Sequence, residues 1–341
     1  MITAPLWKKF SALAGGALIA CGAHAQTPVK VVLDWAWEGA QANWAAVGQS
    51  SCLPDRGLKV TIDRGFGSGD SIGKVASGAY DVGVADFTSV VAYNAAHAEN
   101  RLMAIYVISD RSPTSVSVLK SSGISKPKDL EGKRIADPQG EASRVLFPAF
   151  AKKNGIDVDK ITWVSVAPNL RQTAVVQGQA DAAAGHVFTV MQGLRALGVK
   201  QEDIVSLMYA DYGVELPGNT VVSKPAWLAV HKKEASDLLA CLTAGIKSSI
   251  DNPKAALANL KAYNSLMYES IEAPALAFSS SKAIMTPWAM KNGLSTVDPA
   301  RMDNALGMIA EAIGIAKPAV ADIWTADYLP PVADRKILAK P

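Results

Sequence analysis

Residues 75–86 read VASGAYDVGVAD, and one hundred residues later 175–186 read VVQGQADAAAGH. Each stretch runs from a helical end through a glycine, Gly78 or Gly178, to an aspartate, Asp81 or Asp181. A short apolar strand follows and stops at a polar residue, Asp86 in the first copy and His186 in the second. The surrounding text repeats as well. KVVLD (30–34), a Trp-rich stretch closed by Gly57, KVTID (59–63), the flexible GFGSG (65–69) and a helix capped by Ser68 or Asp70 precede the first copy. KRIAD (133–137), EASRVLFPAFAKKNG (141–155), KITWVSV (160–166) and LRQTAVVQ capped by Asn169 precede the second. Both halves therefore read strand, helix, strand, helix, strand, with glycine closing helices as a C-terminal cap. Strands alternating with helices predict an α/β protein with two lobes, each built on a parallel sheet.

In open parallel sheets ligands collect outside the carboxyl ends of the strands. Asp34, Asp86, Asp137 and His186 all stand at such ends, so two facing lobes would line a cleft with them. LMAIYVISDRSPTSVSVL (102–119) reads as one strand leaving the first lobe and, after Ser112-Pro113, another entering the second. The return falls near ADYGVELPGNTVV, where Pro217-Gly218 breaks the chain. The expected organisation is a discontinuous first lobe of residues 26–112 and 222–341, a second lobe of residues 113–221, and a hinge at both crossings.

A chain of 341 residues with 49% hydrophobic content can bury a large core. Its start reads as an export signal: Lys8 and Lys9, an apolar run too short to span a bilayer, and Ala23-His24-Ala25 as a cleavage pattern. Cleavage after Ala25 gives a protein outside the cytoplasm; Leu18-Ile19-Ala20-Cys21 resembles a lipobox and offers lipid anchoring through Cys21 as the alternative. The signal carries two lysines and no acid, so removing it lowers the formal charge from +3 to +1 and argues against a nucleic-acid partner. Of three cysteines, Cys52 and Cys241 survive cleavage, and they either pair in an oxidising compartment or lie buried as separate thiols.

The series DWAWEGAQANWAA, GLKVTIDRGFGSGDSIGKVASGAYDVGVAD, SGISKPKDLEGKRIADPQGEAS, FPAFAKKNGID and ADYGVELPGNT resembles the extracytoplasmic solute-binding proteins of ABC importers. It is most similar to their THI5/NMT1-like branch, related to sulfonate and nitrate binders. The resemblance implies a type II periplasmic binding fold; a monomer without cofactors is expected, and since neither His97 nor His231 neighbours a second ligand at metal-binding spacing, so is the absence of a structural metal. Such a protein closes on one small molecule and delivers it to an ABC permease in the inner membrane. Relatives often carry D-W-x-P-N-x-x-H after the first strand, associated with aminopyrimidine recognition. Here Asp34-Trp35 stay, whereas Trp37-Glu38 replace Pro-Asn and Gln41 replaces the histidine.

The candidate binding residues follow from these positions. Trp35, Trp37 and Phe87 offer aromatic faces for a planar ring, while Trp44 reads as core. Ser68 and Asp70 start one helix, and Glu141, Ser143 and Arg144 start its counterpart, where backbone N–H groups point outward. Tyr212 and Asn219 border the second crossing. Asp34, Glu38, Asp86 and Glu141 lean toward a hydrogen-bond-donating amino-heterocycle such as a pyrimidine. Arg144, Arg111 and His186 lean toward an aromatic carboxylate or sulfonate, and both chemistries stay open. Gly69-Asp70-Ser71-Ile72-Gly73 also matches G-x-S-x-G, so a serine hydrolase using Ser71, or another enzyme of the same fold, is the alternative to a binding protein.

Overall fold

The computed structural model describes residues 1–3 and 26–337; the rest of the expected signal, with its cleavage site and Cys21, lies outside the described residues. Strands β1 (Thr27–Val32), β2 (Leu58–Asp63), β3 (Val82–Asp86) and β4 (Met103–Val107) form the first sheet. The chain then crosses to β5 (Thr114–Leu119), β6 (Arg134–Asp137), β7 (Thr162–Ser165), β8 (Ala182–His186) and β9 (Ile204–Met208), and returns as β10 (Asn219–Ser223). The orders are β2-β1-β3-β10-β4 and β7-β6-β8-β5-β9, so the two sheets share one topology.

The strand–helix–strand parts of each sheet are parallel, as the grammar predicts. The crossing strands differ: β10 runs antiparallel to β3 and β4, and β5 antiparallel to β8 and β9. The reason is directional. Because the carboxyl ends of both sheets face the same cleft, a strand arriving across it begins beside its neighbours' ends and must run the opposite way. No crossover helix is available to turn it around, and a parallel neighbour would need one. Asn219 consequently pairs with Asp86, and Thr114 with His186. The two crossings lie side by side, with Ser112 N donating to Leu216 O and Gly218 N to Ser109 O at 2.7 and 2.8 Å.

The repeat has a structural cause. Asp81 and Asp181 each accept a hydrogen bond at 2.8 Å from a backbone N–H of the adjoining strand, that of Lys30 in β1 and of Arg134 in β6. Those strands return the bond through their carbonyls, which pins the start of β3 to β1 and of β8 to β6. Helices cover both faces of the first sheet, which is why β3 is buried along its whole length rather than on alternate residues. On one face Val32 and Ala85 pack with Ile72, Val90 and Leu306; on the other Val31 and Val84 pack with Trp44, Leu242 and Ile246.

Cys52 and Cys241 are joined in a disulfide that ties the short helix Cys52–Asp55 to the long helix Lys232–Asp251. Of the two options left by the sequence, the structure has the pair. Because the bond spans 189 residues, its loss restores much chain entropy to the unfolded state, about 2–5 kcal/mol by the usual range. We expect Cys241→Ser, or reduction of the native protein, to lower the melting temperature in a calorimetric scan while leaving the circular dichroism spectrum of the folded state unchanged.

Candidate functional site

The two matched segments meet across the cleft. Asp86 and His186 end β3 and β8 and start the helices Phe87–Ala96 and Val187–Ala196. One carboxylate oxygen of Asp86 caps its helix, accepting from Thr88 N at 2.8 Å, while the other faces Nε2 of His186 at 3.5 Å. Asp86 is 1% exposed, so this contact is dry. Burial alone would lower the His186 pKa, but the carboxylates of Asp86, Asp34 and Glu141 outweigh it and the net shift is upward.

Asp34 follows β1 and is buried, with Asn219 Nδ2 donating to it at 2.7 Å and Gln41 Nε2 at 3.5 Å. Burial raises its pKa against those hydrogen bonds and the charge of His186. Asp137 ends β6 with no exposed surface and accepts from Ser143 Oγ at 2.6 Å and from Arg171 at 3.4 Å. Burial pushes it up to about 7 in spite of both. Glu141 is likewise raised, first by burial, with Arg171 and His186 opposing.

Two glycines permit these approaches. Gly185, at φ +149°, lies in β8 where a Cβ would come within 2.4 Å of the Arg171 guanidinium. Gly67, at φ +114°, lies in the first lobe where a Cβ would come within 2.2 Å of the Glu141 carboxylate. Any side chain at either position would push apart what the fold brings together.

The resulting pocket is walled by Asp34, Trp35, Gly67 and Ser68 from one lobe and by Glu141, Ala142, Ser143, Arg171, Gly185, His186 and Thr189 from the other. Its free volume is about 30 Å³, room for roughly two water molecules. Trp35 lies with its ring 5.6 Å from the guanidinium carbon of Arg171, a cation–π arrangement. Behind it Trp35 Nε1 donates to Glu38, whose carboxyl is pushed up to about 8 by burial and by the neighbouring Glu272. Glu272 accepts from the backbone of Gly39 and, across the lobes, from Gln192 Nε2 at 2.6 Å.

The charges around the pocket do not cancel. Asp137 has Arg171 and Asp86 has His186, which leaves Asp34 and Glu141, one on each lobe, without a cation of their own. Among the described residues, the buried acceptors Glu38 Oε2, Gln41 Oε1 and Asn219 Oδ1 lack hydrogen-bond partners, as does the donor Arg171 Nε.

Of the residues singled out in the sequence, Asp34, Trp35, Ser68, Glu141, Ser143 and His186 wall the pocket. Asp86, Asn219 and Glu38 stand one contact behind it, and the Ser68 hydroxyl is held by Asp86 N at 3.0 Å. The others are placed elsewhere. Asp70 is two residues round its helix from Ser68 and faces out to Lys74. Arg144 is one residue from Ser143 and lies against Trp163 and Ser165. Trp37 stacks on Tyr263, Phe87 is fully buried in the first-lobe core, and Tyr212 packs edge-on to Phe150 near the second crossing. Ser71 is fully buried and its hydroxyl donates to the carbonyls of Val84 and Ser68. Arg171, Thr189 and Gly185 went unread. One signal was available, since the hundred-residue register pairs Arg171 with Ser71 at a helix position buried in both lobes.

The sequence profile described as NMT1/THI5 like matches residues 53–256, more than half of the chain. The chain belongs to the NMT1/THI5-like family. Solved structures place this family member in the periplasmic binding protein fold expected from the sequence. The alkanesulfonate-binding protein SsuA of Xanthomonas axonopodis pv. citri, bound to MOPS, is 17% identical with a TM-score of 0.67, the match covering 89% of this chain and 99% of that one. The periplasmic nitrate-binding protein NrtA of Synechocystis is 9% identical with a TM-score of 0.68, covering 89% and 87%. A Candida albicans protein described as exhibiting the generic periplasmic binding protein fold is 16% identical with a TM-score of 0.66, covering 92% and 99%. No curated protein sequence matches the chain.

Glu38, Asp137 and His186 all hold their protons more tightly folded than unfolded. Each therefore contributes stability that is full below its ordinary pKa and is lost as pH rises through its folded value. The melting temperature of this family member should fall between pH 5 and pH 8, and Glu38→Gln should flatten the upper part of that decline. A melting temperature that climbs over the same range would contradict the assignment.

Proposed function

We propose that this protein is the periplasmic solute-binding component of an ABC importer, a monomer that closes on a small molecule and presents it to a membrane permease. The site walls come from both lobes and the two crossings adjoin each other, which suits closure about a hinge. A solute stabilises the closed form to the extent that it touches both lobes at once. Nothing in this reading asks the protein to do chemistry, and Ser71 has no part in it.

The solute we propose is cationic, or presents several hydrogen-bond donors, as an amine or an amino-heterocycle does. The observation that carries this is the pair Asp34 and Glu141, facing the pocket from opposite lobes with their local cations already committed to Asp137 and Asp86. The alkanesulfonate and nitrate named for the relatives are anions. Such a group would meet two carboxylates in a partly dry site, where like charges at 4 Å repel by about 4 kcal/mol at an effective dielectric constant of 20. Of the two solute chemistries left open by the sequence, the donor-rich one is favoured over an aromatic carboxylate or sulfonate.

The test is a thermal-shift screen of the mature protein against matched pairs, an aminopyrimidine or alkylamine beside a sulfonate or carboxylate of similar size, with nitrate included. Stabilisation by the donor member is expected, since a ligand of the native state raises the melting temperature by mass action. Asp34→Asn and Glu141→Gln should each weaken the best binder at least about tenfold, the loss of one charge-assisted hydrogen bond. Stabilisation by sulfonates or nitrate alone would overturn the charge reading.

A further inference from the structure

A second cavity lies between the same two lobes. It has about 40 Å³ of free volume and is walled by Phe188, Met191 and Gln192 of helix Val187–Ala196 and by Ile271, Ala275 and Phe278 of helix Glu269–Phe278. Pro274, Arg195 and Gln201 complete the lining, so the cavity is apolar along Phe188, Met191, Ile271, Pro274, Ala275 and Phe278 and polar at Gln192, Arg195 and Gln201. The two cavities share a wall: Thr189 faces the polar pocket while its neighbour Phe188 faces this one, and the Phe188 ring meets the His186 ring edge-on at 5.5 Å. Between the lobes here stands the hydrogen bond from Gln192 to Glu272. Gln192 is 8% exposed and its Oε1 has no partner among the described residues.

Size makes the second cavity matter. The polar pocket, at about 30 Å³, has roughly a fifth of the 150 Å³ known to admit benzene. It can take a head group and little more, so the rest of any solute has to go elsewhere in the cleft. We infer that the solute is elongated, with a donor-bearing head between Asp34 and Glu141 and a short aliphatic arm in the cavity beside Phe188, Met191, Ala275 and Phe278. The arm's length follows from the volume: about three heavy atoms, at roughly 10–15 Å³ each. An N–H or O–H at the root of the arm would supply the missing partner of Gln192 Oε1. This inference rests on the donor-bearing head proposed above and adds to it the shape of the remainder.

The experiment uses n-alkylammonium ions from methyl to pentyl, with dissociation constants read by titration followed in the NMR spectrum of the mature protein. In the wild type, affinity should rise about fourfold per methylene until roughly three carbons occupy the arm site, then level off. Ala275→Phe, which fills the cavity, should collapse the ratio of propyl to methyl affinity toward one. Met191→Ala, which enlarges it, should move the plateau to longer chains and keeps the test open if the phenylalanine variant fails to fold. If methylammonium binds and is weakened by Asp34→Asn, but chain length brings no gain, the arm site is wrong and the head reading stands. If none of the ammonium ions binds, the head reading fails and the arm inference with it.

Discussion

The architecture turns on an exchange of strands. Each sheet takes its fourth strand in order, β10 or β5, from a chain that has just left the other lobe. That strand must start where its neighbours end, so the carboxyl ends of both sheets are forced to face one another across the two crossings. Asp34, Asp86, Asp137 and His186 are thereby delivered to one place. Asp34 and Asp86 of the first sheet and Asp137 of the second would otherwise be unrelated helix-capping or turn residues; with the lobes facing, Asp34 walls one pocket with His186 and Arg171, and Asp86 and Asp137 pair with those two cations from behind.

Concentrating carboxyls in this way is costly. Ionised groups removed from water must find partners or take up protons. The protein does both. Asp137 and Asp86 take the available cations, while Glu38 and Asp137 are pushed up to about 8 and 7 by burial. Asp34 and Glu141 fall between these outcomes, raised in pKa yet with no cation of their own. On the proposed reading, a solute that brings charge or donors supplies what this pair lacks.

Much of the fold was legible because the repeat is written in residues with structural duties. Gly78 and Gly178 end helices, and Asp81 and Asp181 lock the next strand to its neighbour through backbone hydrogen bonds, so they recur at the same spacing in both lobes. The strand-end residues Asp34, Asp86 and His186 were legible for the same reason. Direction round a helix was harder to read. Asp70 and Arg144 share helix starts with Ser68 and Ser143, but a step of one or two residues turns a side chain by roughly 100° or 200° and takes it out of the pocket. Arg171 was illegible singly, because an arginine in a polar helix usually faces solvent. Its burial depends on Gly185, a residue distant in sequence whose missing side chain leaves room for the guanidinium. Glu272 belongs to the helical C-terminal half, where no repeat exists to mark it.

On the proposed reading, Asp34 and Glu141 together hold a donor-bearing solute between the lobes. Proton counting tests it most directly. The strongest ligand is titrated calorimetrically at pH 6 in two buffers of different ionisation enthalpy, and the difference gives the protons exchanged on binding. Net release is expected, because a bound cation lowers the raised pKa values of both carboxyls. Net proton uptake, as an anion would cause by drawing protons onto the same carboxyls and His186, would contradict it.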